Sequence, residues 1–166
     1  ETPGEAVYTA GEPWDEPQLT HNRLIRKQRD GWSRVGLPVR IDSAALTPGR
    51  MQTRAATYPS SGPLAGVRVV DFGCFAAGPH ASVLLSDLGA DVIKLERMGG
   101  DPMRAQFHHY AASNRGKRSV VIDAKQPEGA DAIRRLCASA DIVHHNFRPG
   151  VARRLGVDRA SLESVH

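Results

Sequence analysis

At 166 residues, with 40% hydrophobic and 24% charged side chains, the chain has the length and balance of a globular domain rather than a disordered or fibrous one. No apolar run approaches the ~20 residues that span a bilayer, so a soluble chain with no membrane partner is expected. The net charge is +4, from 22 basic against 18 acidic residues, and aromatics are 5% and not interleaved with the basic positions. That argues against nucleic acid and leaves either an ordinary, mildly basic surface or a small polyanionic partner.

The chain opens on Glu1 rather than Met, so a true N-terminus is expected upstream, and no secretory leader is read. Cys74 and Cys137 form no CxxC or metal-ligand pattern and read as small side chains in a reducing cytoplasm. By composition alone, residues 1–57 are a loosely ordered extension. Within it Trp32–Ile41 reads as an extended edge segment, because Pro38 cannot sit in a central strand. Thr47–Gly62, with prolines and glycines among serine, threonine and alanine, reads as a linker, and the chain divides near Tyr58–Gly62.

Beyond the linker the pattern becomes regular. Val67–Phe72 is an apolar, β-branched run suited to a buried parallel strand. Gly73–Gly78 turns the chain, and Pro79 suits an early helical position. Ala81, Leu84, Leu85 and Leu88 then recur at helical spacing and predict one apolar face, ended by Gly89. Asp91–Leu95 predicts the next strand, reached by a right-handed crossover. A polar loop leads to a strand over Ser119–Ile122. Pro127 opens a helix whose Ile133, Leu136, Cys137 and Ala140 share a face, Asp141–Val143 forms a fourth strand, and Pro149 starts a further helix. The order β-α-β-loop-β-α-β-α predicts an α/β fold: part of a doubly wound, Rossmann-like parallel sheet with helices, preceded by a short extended or irregular segment.

Several motifs cluster at predicted strand ends, where open α/β sheets bind ligands. Gly73 and Gly78 are five apart without a third glycine, so no GxGxxG dinucleotide fingerprint is present. Arg97 follows the second strand and could make paired hydrogen bonds to phosphate, though an arginine ending a strand is also an ordinary surface residue. Asn114-Arg115-Gly116-Lys117-Arg118-Ser119 is a basic loop, either solvated or relieved of its self-repulsion by a bound polyphosphate. Asn146-Phe147-Arg148-Pro149-Gly150 follows the last strand and opens a helix whose free amides could meet an anion. The pairs His108-His109 and His144-His145 lack any metal-ligand spacing, and adjacent residues on a strand point to opposite faces. Asp71 and Asp101 read as isolated structural carboxylates, and no catalytic triad or dyad is apparent.

The series Leu64-Ala65-Gly66-Val67, Asp71-Phe72, Ala77-Gly78-Pro79, Leu88-Gly89-Ala90-Asp91-Val92-Ile93-Lys94-Leu95-Glu96-Arg97, Asn114 to Ser119 and Asn146 to Gly150 closely resembles the start of family III CoA-transferases. That group contains formyl-CoA transferase, the carnitine CoA-transferases and α-methylacyl-CoA racemase. The resemblance implies that coenzyme A or acyl-CoA is the substrate, with a carboxylic acid as acceptor and no further cofactor or metal. It assigns CoA contacts to Ala76, Ala77, Arg97, Ile122, Asp123, Ala124, Lys125, Asn146, Phe147, Arg148 and Arg154. Arg97, Lys125, Arg148 and Arg154 are expected to converge on the carboxyl edge of the sheet, with Asn146 and Phe147 beside them. The family's nucleophilic aspartate, and the racemases' His and Asp, correspond to positions beyond His166, so no catalytic residue is assigned here. Glu16-Pro17-Gln18-Leu19 and Gly36-Leu37-Pro38-Val39-Arg40-Ile41 resemble the family's C-terminal segment. The expectation is therefore a tail (1–57), a linker (58–62) and the CoA-binding head of a second copy (63–166), inactive alone, from an intertwined cytoplasmic homodimer. A 2-methylacyl-CoA racemase of the same family and a non-catalytic nucleotide-binding module remain as alternatives.

Overall fold

The computed structural model describes residues 7–36, 39 and 61–164, which fall into two units divided at Gly49–Arg50. Most of the predicted linker, and Leu37, Pro38, Arg40 and Ile41 of the Gly36–Ile41 stretch, lie outside the described residues.

The first unit is ordered where composition alone predicts a loose extension. A 3₁₀ turn, Glu12–Asp15, leads into α1, Pro17–His21. Glu16 caps α1, accepting a hydrogen bond from the Gln18 amide at 3.2 Å, and Pro17 stands where a missing N–H costs nothing. The Tyr8 hydroxyl donates to the same carboxylate at 2.5 Å. Strand β1, Ile25–Lys27, then pairs antiparallel with β2, Ser33–Val35, in the register Ile25 to Val35. These local hydrogen bonds supply order that hydrophobic periodicity does not report.

The second unit is a four-stranded, wholly parallel sheet: β3 (Arg68–Asp71), β4 (Asp91–Glu96), β5 (Arg118–Val121) and β6 (Ile142–His144), ordered β5-β4-β3-β6. Taken along the chain this is third-second-first-fourth, so winding reverses between β3 and β6, as in one half of a doubly wound sheet. Successive β3 residues point to opposite faces. Val70 and Phe72 pack with Ile133 and Cys137 of α4 (Pro127–Ala138), Ala140 and Val157. Val67 and Val69 pack with Ala90, Val92 and Leu85 of α2 (Ala77–Asp87). Helices therefore cover both faces, and the predicted face of α4 is the one buried. Among the described residues no helix is long and apolar enough to cross a membrane.

Three expectations are corrected. The predicted apolar face of α2 is largely outward: Leu84 is 51% and Leu88 45% exposed, while Gly78, Pro79, Ser82 and Val83 are buried. Two stripes share the helical period, and contact with the sheet selects the one with small residues. Ser82 donates to the buried Asp71 at 2.6 Å, which only that rotation allows. The region between β4 and β5 is not a loop but a 3₁₀ turn, Pro102–Ala105, followed by α3, Phe107–Asn114. The last helices, α5 (Val151–Leu155) and α6 (Arg159–Glu163), begin later than Pro149, because Gly150 precedes α5 at φ 82°.

The excursion between β4 and β5 is organised by one buried carboxylate. Glu96, 2% exposed, accepts two hydrogen bonds from Arg104, at 2.7 and 2.6 Å, and others from Tyr110, Ser119 and the Asp101 amide. Burial alone would raise its pKa. The bonds from Arg104, Ser119, Asp101 and Tyr110 outweigh that and lower it from the ordinary 4.5 to about 2. Burial and this carboxylate push the Tyr110 phenol up to about 12.

Two measurements check this. Val83→Ala should cost about 1–3 kcal/mol and Leu84→Ala less than about 0.5 kcal/mol in denaturant unfolding, the reverse of the sequence-based expectation. A carboxylate with a depressed folded pKa contributes stability above its unfolded pKa and loses it as pH falls through the folded value. Stability should therefore decline from pH 4.5 toward 2, and Glu96→Gln should show a smaller drop in Tm across that window than the unsubstituted chain.

Candidate functional site

The carboxyl ends of β3, β4, β5 and β6 border a cleft of about 280 Å³. Phe72 and Cys74 enter it after β3, Lys94 to Met98 from the end of β4, Ile122 to Lys125 after β5, and Phe147 after β6. Gly100 to Pro102, Ile133 and Leu155 complete it. Phe72, Leu95, Ile122, Ala124, Ile133, Phe147 and Leu155 make the wall mostly apolar, and Phe72 and Phe147 lie 5.8 Å apart by ring centroids. The cleft lies at the carboxyl edge of the sheet, whose strand order reverses between β3 and β6.

The cleft gathers six of the predicted contacts: Arg97, Ile122, Asp123, Ala124, Lys125 and Phe147. Gly129 seats the Ile122–Lys125 turn against α4, for a Cβ there would stand 2.0 Å from the Asp123 carbonyl oxygen. Arg148 and Arg154 are exposed neighbours in sequence of Phe147 and Leu155, but neither lines the cleft. The predicted convergence of four cations is therefore met by Arg97 and Lys125. Ala76 and Ala77, both exposed, lie at the first turn of α2 beside the cleft residue Cys74.

Asn146 has a second role that its motif does not announce. Its side-chain oxygen accepts from the Cys74 amide and its nitrogen donates to the Cys74 carbonyl, each at 3.0 Å. It thereby staples the β3–α2 turn to the end of β6. Gly78 makes room for it, since a Cβ there would fall 2.6 Å from the Asn146 amide carbon.

The basic loop behaves differently from the expectation of cations awaiting a polyphosphate. Lys117 turns inward and donates to Asp71 at 2.9 Å, to the Pro79 carbonyl at 2.8 Å and to Asn114 at 3.2 Å. Arg115 pairs with Asp87 at 2.5 Å, and Arg118 with Asp91 at 2.6 Å. The repulsion read from sequence is relieved by carboxylates of the protein itself. Arg97 and Lys125, by contrast, form no ion pair among the described residues, and Arg97 reaches only the Gly100 carbonyl at 3.4 Å.

Asp71 and Asp101, read from sequence as isolated, both have partners. Asp71 is fully buried and also accepts from Ser82 at 2.6 Å and the Gly73 amide at 2.7 Å, with His144 Nδ1 at 2.9 Å. Burial alone would raise its pKa; His144, Ser82 and Lys117 together hold it well below the usual carboxylate range. Asp101 lies 2.8 Å from the Lys94 ammonium. Lys94 is 1% exposed within the apolar strand Asp91–Glu96, and a lysine in such a run must find a partner. That was the available signal for it. His144 is engaged with Asp71, and His145 stacks on Phe147 with centroids 5.0 Å apart. Among the described residues no group of three or more His, Cys, Asp or Glu is placed to hold a metal ion. Burial raises the pKa of the Cys74 thiol, so the arrangement is suited to binding an anion beside an apolar wall rather than to nucleophilic attack.

Comparison with known proteins places the chain in a family. The chain is 43% identical over 119 residues to the succinate–glutarate CoA-transferase of Agrobacterium fabrum, covering 63% of this chain and 30% of that protein. It is 38% identical over 112 residues to the formyl-CoA:oxalate CoA-transferase of Afipia carboxidovorans, covering 62% and 26%. The crystal structure of a CAIB/BAIF family protein from Brucella suis superimposes with a TM-score of 0.61 at 38% identity, over 63% of this chain and 31% of that one. The chain thus spans less than a third of the length of these relatives. Residues 64–166 match the model of CoA-transferase family III, and the chain belongs to that family.

Proposed function

We propose that the cleft binds the adenosine-phosphate end of coenzyme A, and that the protein containing this segment moves CoA between carboxylic acids. The observation that carries the reading is an apolar cleft at the sheet's reversal point, bordered by two cations, Arg97 and Lys125, that no carboxylate of the described residues neutralises. A flat base needs an apolar wall and phosphates need cations. Phe147, Ile122 and Ala124 supply the first; Arg97 and Lys125 supply the second. Asp123 shapes its own turn by accepting from the Lys125 amide at 3.0 Å. The backbone at Ala76 and Ala77 lies along the ligand, Asn146 holds that backbone in place, and Arg148 and Arg154 meet phosphate from the exposed rim.

The relatives named above as CoA-transferases support acyl transfer over racemisation. In this reading an aspartate outside the chain attacks the acyl thioester to form a mixed anhydride and release CoA. The CoA thiolate then attacks the aspartyl carbonyl of the anhydride, expelling the donor carboxylate and leaving an aspartyl thioester. The acceptor carboxylate displaces the thiolate to form a second anhydride, whose acceptor carbonyl the thiolate attacks to give the new acyl-CoA and restore the aspartate. Dividing one acyl exchange into such steps is the advantage of covalent catalysis. The segment alone binds and does not turn over, and it calls for no metal or additional cofactor. Residues 1–57 are the tail of a preceding copy, 58–62 the linker and 63–166 the head of the next, within an intertwined cytoplasmic homodimer. The outward Leu84 and Leu88 support the need for further protein against α2.

Calorimetric titration and thermal melts of the full chain test the binding. CoA should raise Tm by mass action whereas NAD should not. Arg97→Ala and Lys125→Ala should each weaken CoA binding by roughly tenfold, the value of one charge-assisted hydrogen bond. Stabilisation by NAD alone, or CoA affinity unaffected by both substitutions, would reject the assignment.

A further inference from the structure

The β3–α2 turn is held against its own preferences. Phe75 adopts φ 63°, a left-handed conformation unusual for a bulky residue, yet the residue is 59% exposed and gains little from packing. The restraint comes from the two residues before it. Gly73 donates its amide to Asp71 at 2.7 Å and accepts from Lys94 Nζ at 2.7 Å; Asn146 takes both backbone groups of Cys74. Side chains from β3, β4 and the segment after β6 thus fix the backbone of two consecutive residues and three peptide units.

Lys94 reaches further than the others. Its ammonium also lies 2.8 Å from Asp101 Oδ2, with both side chains 1% exposed. That oxygen has no hydrogen-bond donor of regular geometry among the described residues, so its charge rests on the ammonium. Asp101 in turn organises the opposite side of the cleft. Its Oδ1 accepts from the Met103 amide at 2.8 Å, and its own amide donates to Glu96 at 2.8 Å. Asp71 and Lys94 are register partners on adjacent strands, so Lys94 emerges directly beside the base of the turn. One ammonium therefore joins the Gly73 backbone on one wall to the Arg97–Pro102 segment on the other. A buried ion pair is a poor stabiliser compared with apolar residues of the same volume. What an apolar pair could not do is hold two separate stretches of backbone at a set distance.

We propose that Lys94, with Asp101 as its partner, is a positioning residue: it sets the separation of the two walls of the cleft and so governs ligand affinity through the backbone it holds. The effect on affinity rests on the CoA reading of the cleft; the effect on the walls does not.

The experiment uses the full chain carrying Lys94→Met together with Asp101→Asn, a pair that removes both charges without leaving either alone. Amide hydrogen exchange is measured in the ligand-free protein, and CoA affinity by calorimetry. The amides of Gly73, Cys74 and residues 101 and 103 should exchange about tenfold faster or more, with those of β3 and α4 unchanged, as expected for local rather than global opening. CoA affinity should fall by a similar factor. Unchanged exchange at both walls would overturn the proposal, and so would weakened affinity with unchanged exchange. Should the unsubstituted chain fail to bind CoA, the ligand reading falls, while the exchange data still decide the role of Lys94. Should the double variant not fold, Asp101→Asn alone decides it. That variant keeps the bond to Gly73, so faster exchange confined to residues 101 and 103 supports the coupling, and unchanged exchange at these positions overturns it.

Discussion

The carboxyl end of this sheet depends on burying charge without leaving any of it unpaired. Asp71 is fully buried at the end of the central strand, where an ionised group without partners would cost far more than a small domain can sustain. Lys117, Ser82, His144 and the Gly73 amide each give it a hydrogen bond or a charge partner, and each comes from a different segment of the chain. Satisfying this single carboxylate therefore sets the rotation of α2, the approach of the segment before β5, the position of β6 and the start of the ligand-facing turn. Lys94 and Glu96 extend the pattern along β4, giving the same sheet face alternating buried charges, each matched by a partner beyond the strand.

That arrangement also decides which cations remain for a ligand. The basic loop Arg115 to Arg118 is drawn onto Asp87, Asp71 and Asp91. Arg97 and Lys125, which look less distinctive in the sequence, are the ones that stand in the cleft without a carboxylate. Charge density along a sequence is thus a poor guide to electrostatic availability. What matters is which positive groups the fold has already matched with its own acids.

The cleft's position follows from topology and its character from a few side chains. The crevice lies at the carboxyl edge of a sheet whose winding reverses between β3 and β6, and alternation along β3 sends Phe72 into it while Asp71 goes to the other face. The first unit, with its capped short helix and two-stranded ribbon, stands as a separate piece whose order comes from local hydrogen bonds rather than from a core.

Much was legible from residues alone. The β-branched runs at Val67–Phe72 and Asp91–Leu95 and the α4 stripe of Ile133, Leu136, Cys137 and Ala140 reflect burial that recurs with the period of the local backbone. The sequence therefore determined the strand order along the chain, the α/β class and the positions after the strands that line the cleft. It did not determine the rotation of α2, because Ala81, Leu84, Leu85 and Leu88 and the set Gly78, Pro79, Ser82 and Val83 both follow the helical period. Nor did it reveal that Asp71 and Lys117 are bonded across 46 positions, or that Lys94 joins Gly73 to Asp101. Periodicity is a property of neighbours along the chain and survives in the sequence. The pairing of buried charges is a property of neighbours in space, so only the assembled sheet, bringing the strand ends side by side, decided which cation met which carboxylate and which were left to meet a ligand.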